Sequence, residues 1–175
     1  MVPDEVSGGR TATEVLLAKG HKRVGLINLR RGIPATIGRL EGYKRALEAR
    51  GLAFDDSLVS YGDGTANAGY ERAAELVRAS DPPTAIFCGN DPIAMGAYEP
   101  LKELGLRAPE DVAVVGFDNQ ELIAAHLRPP LSTIALPHYE MGEWAVNYLI
   151  EQAEHGEMTP VQHTICCPYI ERGSV

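Results

Sequence analysis

The chain is short of what a membrane span, a disulfide scaffold or a nucleic-acid surface would need. No apolar run approaches the roughly 18 residues of a spanning helix, so nothing in it reads as crossing a membrane. There are three cysteines in 175 residues. Cys88 lies inside an apolar run, and Cys166 and Cys167 are adjacent, so in a strand they point to opposite faces. They read as free thiols of a reducing compartment. Basic residues are outnumbered, 16 against 24, for a net charge of −8. A phosphate-binding surface needs clustered Lys and Arg, so the balance argues against a nucleic-acid face spread over this chain. His21, His126, His138, His155 and His163 have neither i,i+4 spacing nor cysteine partners suited to a metal. His21 follows Gly20 at a helix end, where a cation meets the dipole favourably. Gly62-Asp63-Gly64 is not followed by the GK[ST] of a phosphate loop and reads as a turn. Cys88 has no basic neighbour to lower its pKa. With no nucleophile–base constellation, the expectation is a protein that is not an enzyme and carries no cofactor. The opening MVPDEVSGGR has neither the charged leader nor the apolar core of a signal peptide, which points to the cytoplasm.

What is present is a soluble globular composition, 45% hydrophobic and 23% charged, with enough chain for one ordinary core. The stretch TAIFCGNDPIAMGA, Thr84 to Ala97, organises the rest. Thr84 to Cys88 suits a buried strand. Gly89 breaks it, Asp91 reads as an N-cap, and Pro92 fits the first helical turn. The pattern recurs at VAVVGFDN, where an apolar strand runs through Gly116 to Phe117, Asp118 and Asn119. Helices are expected at Ser7–Lys19, Thr36–Arg50, Thr65–Ala79, Glu121–Leu127 and Tyr139–Glu154, and strands at Val24–Leu29, Leu58–Tyr61 and Leu131–Leu136. Short alternating elements predict an α/β fold, a doubly wound parallel sheet between helical layers in a three-layer sandwich. In such sheets ligands bind outside the carboxyl ends of the strands. Asn90, Asp91 and Asp118 are therefore candidates for a common mouth, with Asp91 a cap before it is a ligand contact.

Five stretches carry a resemblance to a known family: GGRTATEVLLAKGHKRVGLI, GRLEGYKRALEARG, PTAIFCGNDPIAMGA, LGLRAPEDVAVVGFDN and RPPLSTIALPHYEMGEWAVNYL. Taken in order, they resemble the effector-binding core of bacterial transcription regulators of the lactose-repressor/galactose-repressor (LacI/GalR) family. The resemblance implies a periplasmic-binding-protein-like type I fold, of which this chain carries the C-terminal lobe at residues 2–133. It implies a hinge crossing and a helix belonging to the other lobe at residues 134–160, and closing strands at residues 161–175. The DNA-binding headpiece would lie outside this chain, so DNA is a partner only through it. A periplasmic sugar-binding protein of a transport system is the alternative.

Residue by residue, Arg39 in GRLEGY, Asn90 in GND and Asp118 in GFD match the family's effector contacts. A guanidinium is a rigid fork of donors, an ionised Asp accepts from adjacent hydroxyls, and an amide does both. Such a set suits a sugar or purine-like effector beside an apolar face, which Phe117 could supply. Relatives often carry an aromatic residue where Gly64 stands. The resemblance also implies a homodimer through Met95, Tyr98, Glu99, Ile123 and Leu127, with Met95 equally readable as core. The helix at 139–154 carries Met141, Trp144, Ala145, Tyr148, Leu149 and Gln152 on one stripe. Without a first lobe, that stripe is expected to find new cover on this chain or to exchange with a second copy.

Overall fold

The computed structural model describes residues 1–155 and 160–175. Five apolar segments form parallel strands: β2 (Val24–Asn28), β3 (Val59–Tyr61), β4 (Ala85–Cys88), β5 (Ala113–Asp118) and β6 (Ser132–Ala135). β8 (Tyr169–Ile170) adds an antiparallel edge on β6, giving the order β3-β2-β4-β5-β6-β8. A separate parallel pair joins β1 (Val2–Pro3) to β7 (Thr164–Ile165). The central strands are apolar on both faces because helices cover both. Val24, Leu26, Phe87, Val115 and Phe117 point to α1 (Glu5–Ala18) and α2 (Pro34–Ala49). Ile27, Ile86, Cys88 and Val114 point to α3 (Ala66–Val77) and α4 (Asp91–Glu103). The expected doubly wound three-layer sandwich is present.

Two helix starts, those of α1 and α2, differ from expectation. α1 begins at Glu5, because the Asp4 carboxylate accepts from the Ser7 amide at 2.9 Å, so Asp4 rather than Ser7 is the cap. α2 begins at Pro34, whose fixed φ suits a first turn. Thr65 caps α3 as a hydroxyl acceptor for the Ala68 amide. The helix after β5 is a single turn, α5 (Glu121–Ala124), shorter than the expected 121–127. Of the expected closing strands at 161–175, Thr164–Ile165 and Tyr169–Ile170 pair.

The helix α6 (His138–His155) stands apart from the two-sided core. Met141, Trp144, Ala145, Tyr148 and Gln152 are half-buried, and no described side chain of α6 is buried. The Trp144 ring stacks on Tyr148 at 5.1 Å and on His163 of the returning segment at 4.8 Å. The stripe therefore finds partial cover on its own chain, and Leu149 falls outside it at 54% exposure. The last part of the expected second tract, 156–159, lies outside the described residues. Among the described residues no helix is long and apolar enough to cross a membrane.

The helical layers pack through small residues. A Cβ at Gly42 of α2 would run into the Val6 carbonyl oxygen and the Arg10 amide nitrogen of α1. Gly42→Ala is expected to destabilise the chain by about 1–3 kcal/mol, the usual cost of overpacking. Gly142→Ala, which meets nothing within 4 Å on α6, should be neutral or stabilising by about 0.5–1 kcal/mol. Urea denaturation of both variants checks this; equal midpoints would overturn it.

Candidate functional site

The sheet changes winding direction at β2, which lies between β3 and β4. The carboxyl ends of β2, β4 and β5 at such a switch point are where open α/β sheets place ligands. Asn28 ends β2, buried, donating through Nδ2 to the Thr36 carbonyl at 3.0 Å and accepting from the Leu29 amide at 2.9 Å. This ties the strand end to the first turns of α2. Those turns then deliver Arg39 across the mouth.

Arg39 is 3% exposed. Its Nε donates to Glu5 Oε2 at 2.7 Å, its Nη1 donates to the Gly89 carbonyl, and its Nη2 lies 3.7 Å from Asp118 Oδ1. The guanidinium carbon sits 3.7 Å above the centre of the Phe117 ring. Arg39, Asp118 and Phe117 are thus brought together around the end of β4. Phe117 itself is fully buried, because strand alternation turns it toward α1 beside Val115. The expectation that its ring offers an open face is corrected: Arg39 covers it. A half-buried aromatic ring does lie at the end of β3, Tyr61, with the Arg31 guanidinium 4.0 Å from its centre.

The expected cap is corrected: Asn90, and not Asp91, caps the helix, and Asp91 is no ligand contact. Asn90 is the N-cap of α4, its Oδ1 accepting from the Ile93 amide at 2.8 Å. Its Nδ2 donates to the Gly64 carbonyl at 3.0 Å, leaving one amide hydrogen and one lone pair for other partners. Gly64 has φ +92°, a backbone region costly for an aromatic residue, which accounts for glycine there. Asp91 is fully buried, accepting from Thr133 Oγ1 and from the Gln120 amide, both at 2.6 Å. It faces the interior and not the mouth.

Asp118 has φ +109° and Asn119 φ +55°, both unusual for residues with side chains. Arg172 holds the turn by donating to Asn119 Oδ1 at 2.8 Å, and the Gln120 amide donates to Asp91. The Asp118 side chain is 16% exposed. Burial raises its pKa above the ordinary carboxylate value, opposed by the Arg39 charge and a Gln120 hydrogen bond, while Glu5 adds to the rise. Burial also pushes Asp91 up to about 6, against the hydrogen bonds from Thr133 and Gln120. A group raised on folding favours the fold fully below its unfolded value. For Asp91 that contribution is lost as pH rises through about 6.

Of the expected interface residues, Tyr98 is 2% exposed and donates to the Pro129 carbonyl at 3.1 Å, so it belongs to the core. Met95 and Glu99 are exposed, and Ile123 and Leu127 half-buried. A cavity of about 340 Å³ lined by Tyr98, Leu101, Leu106, Arg107 and Arg128 lies at the opposite end of the sheet, away from the mouth. Sequence reasoning missed Glu5, Gln120 and Arg172. Glu5 and Arg172 come from segments with no motif of their own, and Gln120 directly follows the VAVVGFDN stretch; the acidic pair Asp4-Glu5 opening a helix was the one local signal for Glu5.

Arg39→Met would strand two half-buried carboxylates and the Gly89 carbonyl, with an expected loss of about 3–5 kcal/mol. It should raise the Asp118 titration midpoint, whereas Glu5→Gln should lower it. Carboxyl-carbon NMR titration of the three proteins checks both signs; shifts in the same direction would overturn this account of the mouth.

Residues 13–175 match the family of periplasmic binding protein-like domains. Among curated proteins, the chain is 37% identical over 171 residues to the HTH-type transcriptional repressor CytR of Escherichia coli, covering 98% of this chain and 50% of that protein. It is 36% identical over 159 residues to the HTH-type transcriptional regulator CelR of Thermobifida fusca, covering 91% and 46%. Among solved structures, a CelR–cellobiose complex superposes with a TM-score of 0.91 at 36% identity, over 99% of this chain and 53% of that one. A LacI family regulator from Enterococcus faecium with bound ribose superposes with a TM-score of 0.86 at 28% identity, over 99% and 64%. The chain spans about half the length of the curated relatives it matches. Mouth, topology and likeness agree, and the chain belongs to the periplasmic binding protein-like family, in its LacI/GalR branch.

Proposed function

We propose that this chain is the ligand-sensing portion of a LacI/GalR-type transcription regulator that responds to a sugar or a related small polyhydroxy metabolite. The observation that carries the reading is the convergence of Arg39 and Asp118 beside the Asn90 cap at the switch point. A fixed fork of donors, a carboxylate acceptor and a bifunctional amide are the groups that sugar hydroxyls recognise. Structures of relatives with cellobiose and with ribose support a sugar as the effector class.

Arg39 is already engaged by Glu5, the Gly89 carbonyl and Asp118. A ligand would take up the free edge of Asp118 and of the Asn90 amide, while Arg39 keeps them oriented. The site works through preorganisation, because the polar groups are held by the fold before the ligand arrives. Binding would close this lobe against the other half of the regulator, in which DNA recognition would lie. Effector and operator then act on one equilibrium, so each must change the affinity of the other by the same factor. On this reading the protein senses rather than catalyses and acts in the cytoplasm, as a homodimer.

This chain presents half of the cleft, so its own affinity should be weak. Isothermal titration of the isolated chain with ribose or cellobiose is expected to show no binding at micromolar concentrations, whereas the full-length regulator should bind its effector. In the full-length protein Asp118→Asn removes charge-assisted hydrogen bonds of about 1.5–3 kcal/mol, a loss of roughly 10- to 150-fold in affinity. Unchanged affinity in that variant would remove Asp118 from the site.

A further inference from the structure

Arg39 and Asp91 are the two formally charged residues that are buried among the described residues. Arg39 is surrounded by carboxylates. Asp91 has no cation in contact among the described residues; it is held by one hydroxyl and one backbone amide. Those two donors come from different places. Gln120 follows the Asp118–Asn119 turn, and Thr133 lies on β6, next to Ile134 and the crossing that leads to α6. The carboxylate itself is fixed to the first turn of α4. Gly116 on β5 leaves it room, since a Cβ there would collide with Asp91 Oδ1. One buried side chain therefore joins a helix start, a strained turn and the last parallel strand.

We propose that Asp91 is a positioning residue for the effector mouth, clamping the Asp118 turn to strand β6 so that the mouth carboxylate and the crossing toward α6 shift together. The inference rests on the reading of Asp118 as an effector contact. The clamp has two protonation states with different partners. As a carboxylate, Asp91 accepts from both donors. When it takes up a proton, Oδ2 must remain the acceptor for the Gln120 amide, which can only donate. The added proton therefore sits on Oδ1 and is donated to Thr133 Oγ1. The Thr133 hydroxyl then turns its own proton toward the Ile134 carbonyl, 3.5 Å away. Proton uptake thus reverses the bond between α4 and β6 while keeping the one to the Asp118 turn. The charged and titratable groups facing Asp91 are Asp118 from β5, Arg172 from the closing segment and the Cys88 thiol from β4. Arg172 favours the carboxylate, and Asp118 favours its protonation.

Amide NMR of the 175-residue chain without ligand tests this, so that a failure of effector binding and a failure of the clamp are read separately. In the native chain the Gln120 and Thr133 amide signals should follow one titration with a midpoint near 6. Thr133→Val should move the Gln120 midpoint upward, because the lost hydrogen bond held it down. Asp91→Asn should abolish the step and shift the signals of Asp118 to Gln120 together with those of β6, leaving Leu47 at the end of α2 unmoved. A Gln120 signal flat between about pH 5 and 7.5, or a shift confined to the Asp118 turn with β6 unchanged, would overturn the proposal. If Asp91→Asn does not fold, the titrations of the native chain and of Thr133→Val decide alone.

Discussion

One buried guanidinium sets the geometry of the mouth. Arg39 leaves α2, crosses the end of β4 and meets groups from α1, the residue after β4, and β5 at once. Stripping water from a cation is costly, and the cost is offset only where acceptors are already in place. Here Glu5, the Gly89 carbonyl and Asp118 supply them, and the Phe117 ring supplies the floor. The consequence is rigidity: three strand or helix ends cannot move independently without leaving a charge unmatched. A sensor benefits, because its donors and acceptors are fixed at the expense of folding energy and not of ligand affinity.

The parts of this arrangement that could be read from the sequence are those with a local cause. Val24–Asn28, Ala85–Cys88 and Ala113–Asp118 are apolar on both faces, so a sheet covered on both sides follows directly. From alternating elements the switch point follows, and with it the neighbourhood of Asn90 and Asp118. Phe117 offers no open face, because the same alternation that places Asp118 at the rim turns its neighbour inward. Asn90 and Asp91 are equally good caps by residue type. What separated them is tertiary: Thr133, 42 positions away, takes up Asp91 and leaves the cap to Asn90. Glu5 and Arg172 were silent for the same reason, since their partners lie 34 and 53 positions distant in sequence.

The closing segment shows how far the fold depends on such distant ties. Ser174 is fully buried, and its hydroxyl donates to the Val114 carbonyl at 2.6 Å while accepting from the Ser132 amide at 2.8 Å. Two residues earlier, Arg172 reaches both the Leu131 carbonyl and Asn119. The strained turn that carries Asp118 is thus gripped from beneath by α4 and from the side by the last residues of the chain. Strain of this kind persists only where the surroundings determine it from several directions.

The sole tryptophan of the chain lies at position 144, on a helix none of whose described side chains is buried. Its indole stacks on Tyr148 of the same helix and on His163 of the returning segment. Intrinsic fluorescence of this protein is consequently a spectator of one peripheral helix. It reports the surroundings of that helix, and far-ultraviolet dichroism is the signal that follows the body of the molecule.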